Sequence, residues 1–380
     1  MKTLCVRNCL FSLAVLAAAS IAPAGAYPPD NAAVLYYRAI LVYEKPEGAI
    51  LDNLSAMIKD GTPASEETKQ FLKNQDHVIQ SITTAAEIEA CDWGYDYSEG
   101  FAMLLPGLAD MRNIARIVLA DGVKALQGGD CKTAAQRCIT TYKMARHLKT
   151  EFLINTFVGI AMESMAQSVA QQILARPVEP PLLDLLKKEL AQIELDDVPL
   201  EHSMRMEMKW VLDPPREKLL AYFSAAGDEP IWPNNVDLEF VDKSIAYYKK
   251  KMDDYISSLR LPYTKATAQI DRLHADMEAD AKARPEALMS QAIIPALKNA
   301  YSIPILAQTS RNALRAAIEI YRIRARTGKL PDRLPPNLPQ DMFSGKPFDY
   351  EVTNTGFTLR CREINRKSNK IEEYAFTLPK

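Results

Sequence analysis

This 380-residue sequence holds little of what catalysis usually requires. It has no G-x-S-x-G to mark a nucleophile elbow and no G-x-x-x-x-G-K to cradle phosphate. The four histidines, His77, His147, His202 and His274, lie far apart, with no H-E-x-x-H or H-x-x-x-H, so zinc has no local support. After the first 26 residues no run reaches 18 apolar positions, and no transmembrane span is expected in the mature chain. Charge is nearly balanced, 46 Lys and Arg against 48 Asp and Glu, with no basic face and no aromatic-plus-basic cluster. Nucleic acid is therefore not an expected partner. The signature of a tetratricopeptide unit does not recur, although Gly129-Asp130 and the helical pair after it have the right length.

Cysteine is scarce as well. Cys5 and Cys9 fall in the first 26 residues, leaving Cys91, Cys131, Cys138 and Cys361, which allow three pairings. Asp130 is a good cap for a helix starting near Cys131. On that helix the Cys131 and Cys138 α-carbons would stand ~10 Å apart, beyond the ~7 Å a bridge tolerates. Free buried thiols are the simplest account of all four.

What is present begins with a leader. Lys2 and Arg7 form a basic region, Leu10 to Ala22 is apolar apart from Ser12 and Ser20, and Ala24-Gly25-Ala26 is an A-x-A cleavage site. That is the plan of a secretory signal peptide over 1–26, so the chain is expected to be exported, periplasmic or secreted after cleavage near Ala26. Loss of Lys2 and Arg7 would move the net charge from −2 to −4. A hydrophobic fraction of 48% and a charged fraction of 25% then describe a globular remainder with a real core.

Residues 27–327 read as a helical domain. Helices are expected at 31–43, 46–59, 62–90, 101–127, 131–149, 151–175, 180–194, 200–212, 215–225, 237–260, 263–283, 286–299 and 303–327. Many of the 24 prolines fall at the joins, as expected of short antiparallel neighbours. The 131–149 and 151–175 segments suit a helical hairpin. Over 237–260, Leu238, Val241, Ile245, Tyr248, Met252, Tyr255 and Leu259 repeat 3-4-3-4, a seam for the next helix through Ile270, Leu273 and Met277. That pair either packs into the bundle or projects as an arm. Residues 328–380 change character. A proline-rich connection leads to three alternating runs, Phe348-Tyr350-Val352, Phe357-Leu359-Cys361 and Tyr374-Phe376-Leu378, with a turn at Asn354-Thr355-Gly356. The expected fold is mainly α, an irregular antiparallel bundle or short solenoid of helical hairpins. A small three-stranded antiparallel β meander is laid on it.

Two stretches carry a resemblance. One is Cys91-Asp-Trp-Gly-Tyr-Asp with Leu105-Pro-Gly-Leu, Arg112, Ala115-Arg116, Gly129-Asp130, Ala145-Arg146-His147-Leu148 and Leu153-Ile154. The other is Leu338-Pro-Gln-Asp-Met-Phe-Ser-Gly-Lys-Pro-Phe, followed by Tyr350 and Gly356-Phe357. Together they resemble a group of uncharacterised exported, mostly helical bacterial proteins of planctomycete type. The tail also resembles the loop-and-sheet ending of type II secretion pseudopilins, with Met342 in place of the usual proline and without a pilin's hydrophobic N-terminal helix. The resemblance implies an architecture and no activity.

Three constellations are candidates for chemistry. In Glu201 to Trp210, His202, Met204, Met206 and Met208 are soft or borderline ligands for Cu(I). On a helix, however, Met204 and Met208 share one face and His202 and Met206 another, so core packing is the simpler account. Asp92, Trp93, Tyr95, Asp96, Tyr97 and Glu99 set carboxylates beside aromatics, a combination that holds sugars or cations and could serve a hydrolase. Trp93 beside Cys91 could equally plug the end of a hairpin. His147, near a helix end, is expected to act as a capping cation. Arg112 and Arg116, near Asp110 and Asp121, are expected to form a salt-bridged face. No cofactor is expected. The sequence favours a non-catalytic interaction or scaffold module of the cell envelope, with an envelope protein as partner. The alternative is a periplasmic hydrolase or carbohydrate-binding protein using the 91–99 loop.

Overall fold

The computed structural model describes residues 28–96, 105, 107–149, 152–195, 199–224, 231–297 and 300–379. The leader, Tyr97 and Glu99 lie outside them. Fourteen α-helices and a three-stranded antiparallel sheet make up the described chain, which is the mainly α architecture with a small meander that the sequence predicts.

The first four helices are α1 (Ala32–Val42), α2 (Gly48–Asp60), α3 (Glu66–Asn74) and α4 (Asp76–Ala86). Asn31 caps α1 by accepting from the Ala33 N–H at 3.0 Å, and it also ties in Asp92 through both backbone groups. The single helix expected over 62–90 is two. Ser65 supplies the cap of the first, accepting from the Thr68 N–H at 3.1 Å. The break falls at Gln75, which is buried and accepts from the Glu44 N–H at 3.2 Å. That bend lets Phe71 and Leu72 on one side and Val78, Ile79 and Ile82 on the other all reach the core.

The centre is α5 (Leu108–Gln127), α6 (Cys131–Leu148) and α7 (Leu153–Leu174). In α5 a continuous run from Ile117 to Val123 is buried all round, as expected of a helix packed on several sides. It starts at Leu108 behind Gly107 (φ +82°); residues 101–104 and 106 of the longer expected helix lie outside the described chain. Asp130 caps α6 as its sequence position predicts, accepting from the Thr133 N–H at 2.9 Å. α6 and α7 then pack as the expected hairpin.

Next come α8 (Pro180–Leu195), α9 (Leu200–Leu212), α10 (Arg216–Ser224), α11 (Leu238–Ser258), α12 (Tyr263–Ala283), α13 (Leu288–Ile293) and α14 (Ser302–Thr327). The seam holds in its middle: Val241, Tyr248, Met252 and Tyr255 of α11 are buried, as are Ile270, Leu273 and Met277 of α12, whereas Ile245 and Leu259 are half-buried and Leu238 is exposed. The pair packs on α10, α9 and the 285–297 segment rather than standing alone. That segment, expected as one helix over 286–299, consists of 3-10 turns at Pro285–Ala287 and Ile294–Leu297 around α13. Pro285 and Pro295 each remove a backbone donor from a continuous ladder.

The sheet runs β1 (Asp349–Thr353), β2 (Gly356–Asn365) and β3 (Lys370–Thr377), in that order. The register Val352↔Phe357↔Phe376 and Leu359↔Tyr374 puts Phe357, Leu359, Cys361, Tyr374 and Phe376 on a buried face. Edge strand β1 is covered only at its start, since Val352 is half exposed. The sheet meets α14, whose Tyr321 hydroxyl donates to the Thr377 carbonyl at 2.6 Å. Buried Asp341 organises the tail motif, accepting from Phe343 N (2.8 Å), Ser344 Oγ (2.7 Å) and Arg362 N (2.9 Å). Among the described residues Cys91, Cys131, Cys138 and Cys361 form no disulfide; Cys138 and Cys361 are buried as expected, whereas Cys91 and Cys131 are only half-buried. Burial pushes the Cys131, Cys138 and Cys361 thiols up, away from the reactive thiolate.

Candidate functional site

Asp92 and Asp96 of the acidic-aromatic loop are exposed, but Trp93 is not. Its ring stacks on Tyr36 at 5.5 Å and meets the edge of Tyr37 at 5.6 Å, and its Nε1 donates to the His147 carbonyl at 2.9 Å. Asn155 donates to the Tyr95 hydroxyl at 2.9 Å, and Asp92 accepts from the Gly94 N–H at 2.9 Å. Trp93 thus plugs the junction of α1 and α6 and offers no face for a sugar to stack on. The binding role expected of it is corrected to that extent; Tyr97 and Glu99 lie outside the described residues.

The same junction corrects His147. It is buried, not a capping cation. Its Nδ1 lies 2.8 Å from the Tyr36 hydroxyl and its Nε2 3.0 Å from Arg146 Nη2. A guanidinium only donates, so Nε2 must accept, which requires a neutral ring. Burial first, then the Arg146 charge, brings the His147 pKa down to about 4, against a smaller opposing effect of the backbone hydrogen bond to Ile88.

The four residues of the copper set sit in different environments. Met204 is wholly buried, His202 is exposed, and Met206 and Met208 are intermediate. Among the described residues no group of three His, Cys, Asp or Glu could hold a metal ion. Among the described residues neither Arg112 nor Arg116 pairs with Asp110 or Asp121, contrary to the expected salt-bridged face. Asp110 accepts from the Tyr43 hydroxyl, Asp121 pairs with Arg137 (3.0 Å) and Lys124 (2.9 Å), and Arg116 bonds Asn113.

The most unusual electrostatic feature lies elsewhere. Glu163, midway along α7, accepts from Lys149 Nζ at 2.7 Å and from Arg311 Nη1 of α14 at 3.0 and 3.2 Å. All three side chains are at most 7% exposed. Gly159, one turn before Glu163, makes room for the Lys149 stem: a Cβ there would stand 2.7 Å from Lys149 Cγ. A cavity of about 330 Å³ opens onto the three charges. Sequence reasoning missed this cluster, though two signals were present. Glu163 is the only charged residue in α7, and Gly159 interrupts a helix where glycine is unfavourable.

Fold and site together define a mainly α bundle with a small C-terminal antiparallel sheet and a charged internal cavity. Comparison with protein-family models, curated proteins and solved structures finds no match. The resemblance to the planctomycete-type group and to the pseudopilin tail therefore rests on its motif residues alone.

Proposed function

We propose that this chain is an exported, non-catalytic interaction module of the cell envelope, and that it presents the outer face of α1 to a protein partner. One observation carries the surface. Val34, Leu41 and Val42 are 52, 84 and 51% exposed on one side of a helix whose other side, Ala32, Leu35, Tyr36 and Ala39, is buried. Exposed residues seven and eight apart share a helical face, and clustered exposed apolar groups favour association. The leader pattern supports export. Among the described residues no helix is long and apolar enough to cross a membrane.

The test places a photo-crosslinking amino acid at Leu41 and, as a control, at Glu66, whose side chain is 89% exposed on α3. Irradiation of living cells should give a discrete protein adduct from position 41 alone. No adduct, or the same adducts from both positions, would refute the surface. Turnover of a defined substrate by the purified chain would refute the non-catalytic assignment.

A further inference from the structure

The exposed ridge of α1 carries a charge as well as carbon. Val34, Arg38, Leu41 and Val42 fall at steps of four, three and one, which sets the Arg38 guanidinium in the middle of the apolar stripe. From Val34 to Val42 the ridge is about 12 Å long, at 1.5 Å per residue. Arg38 is exposed and makes no hydrogen bond or ion pair with any described residue. Asp30 before α1 and Glu44 after it are exposed too, and neither carboxylate has a partner among the described residues. Around them, residues 28–96 hold twelve Asp and Glu against five Lys and Arg. One surface thus combines a central cation on carbon with carboxylates at both ends, inside an acidic region.

That charge pattern discriminates between occupants. An anionic bilayer is repelled by the surplus of carboxylates, since helices that lie on membranes are basic on their polar face. A second copy, paired about a twofold axis, sets Val34 against Val42 and brings the midpoint, Arg38, onto the same residue of the other copy. Like charges meeting at the desolvated centre of an interface oppose association. We infer, resting on the α1 surface proposed above, that its occupant is a different protein presenting an apolar patch with one central carboxylate opposite Arg38 and basic side chains at the edges opposite Asp30 and Glu44. The central pair, shielded from water by the surrounding carbon, sets affinity, and the edge charges steer the approach.

The test uses the full chain in living cells, with the photo-crosslinking residue at Leu41. Arg38→Glu should cut the protein adduct by roughly tenfold or more, and Arg38→Lys by much less. Asp30→Lys combined with Glu44→Lys should weaken it as well. All three positions are exposed, so the purified variants should keep their Tm. The peptide joined to position 41, sequenced by mass spectrometry, should hold an Asp or Glu among apolar residues. Replacing that carboxylate by Lys should restore the adduct to Arg38→Glu. An adduct indifferent to Arg38→Glu, or lost equally in Arg38→Lys, would overturn this partner chemistry while leaving the α1 surface standing. Failure of the charge exchange to rescue, an adduct made only of two copies of this chain, or one made with lipid would overturn it too. No adduct from Leu41 beside an unaltered Arg38 would remove the surface itself, and this occupant with it.

Discussion

Replacing Glu163 by Gln tests how much a carboxylate shared by two buried cations contributes to the fold. The substitution keeps the shape and removes the charge. Lys149 and Arg311, 4 and 7% exposed, are left facing a neutral amide in place of bonds at 2.7, 3.0 and 3.2 Å. Removing one partner of a buried pair costs about 3–5 kcal/mol, chiefly through the charge left uncompensated. At about 2.1 cal/mol/K per residue, the unfolding entropy of a chain this long is on the order of 0.75 kcal/mol/K, so Tm should fall by about 4–7 °C. Scanning calorimetry with matched urea unfolding measures both. Two controls fix the interpretation. Glu66→Gln breaks the exposed pair with Lys69 and should leave Tm unchanged. A triple change of Lys149, Glu163 and Arg311 to Met should be more stable than the single variant, because neither cation is then left buried without Glu163. A loss below about 1 kcal/mol in Glu163→Gln would refute the reasoning.

Two further outcomes are expected. His147 is held near pKa 4 in the fold against about 6.5 in the unfolded chain, so between those values the unfolded state binds the extra proton. Stability should therefore rise with pH from about 4 to 6.5, by on the order of 3 kcal/mol, and be flat in this contribution outside that window. Urea unfolding across that range should lose this slope in His147→Gln; an unchanged slope would assign it to other groups. Gly356→Ala would put a Cβ 1.9 Å from the Phe376 carbonyl oxygen. Backbone cannot swing aside as a flexible side chain does, so β2 and β3 must separate, with a loss of about 1–3 kcal/mol or more by chemical denaturation. No loss would show that the strand ends yield freely.

Helices were legible wherever a local signal decides them. Asn31 and Asp130 cap, Gly328 stops α14 at φ +75°, and the middle of the α11 seam, Val241, Tyr248, Met252 and Tyr255, is buried where its period marks it. Gln75 was not legible, because glutamine is a good helix former and the break comes from a distant backbone partner, Glu44. The same division governs the charges. A histidine at a helix end suggests a cation, but Tyr36, 111 residues away, and the adjoining Arg146 make His147 neutral. Lys149 and Arg311 lie 14 and 148 residues from Glu163, so no motif spacing could unite them. What local sequence does carry is the anomaly: a single charge in a 22-residue helix, one turn after a glycine. A buried ionic group costs stability relative to well-packed carbon, so this cluster is held at a cost the rest of the bundle must offset. The triple Met variant measures that cost directly, because it should keep the bundle folded with no member of the cluster left to desolvate.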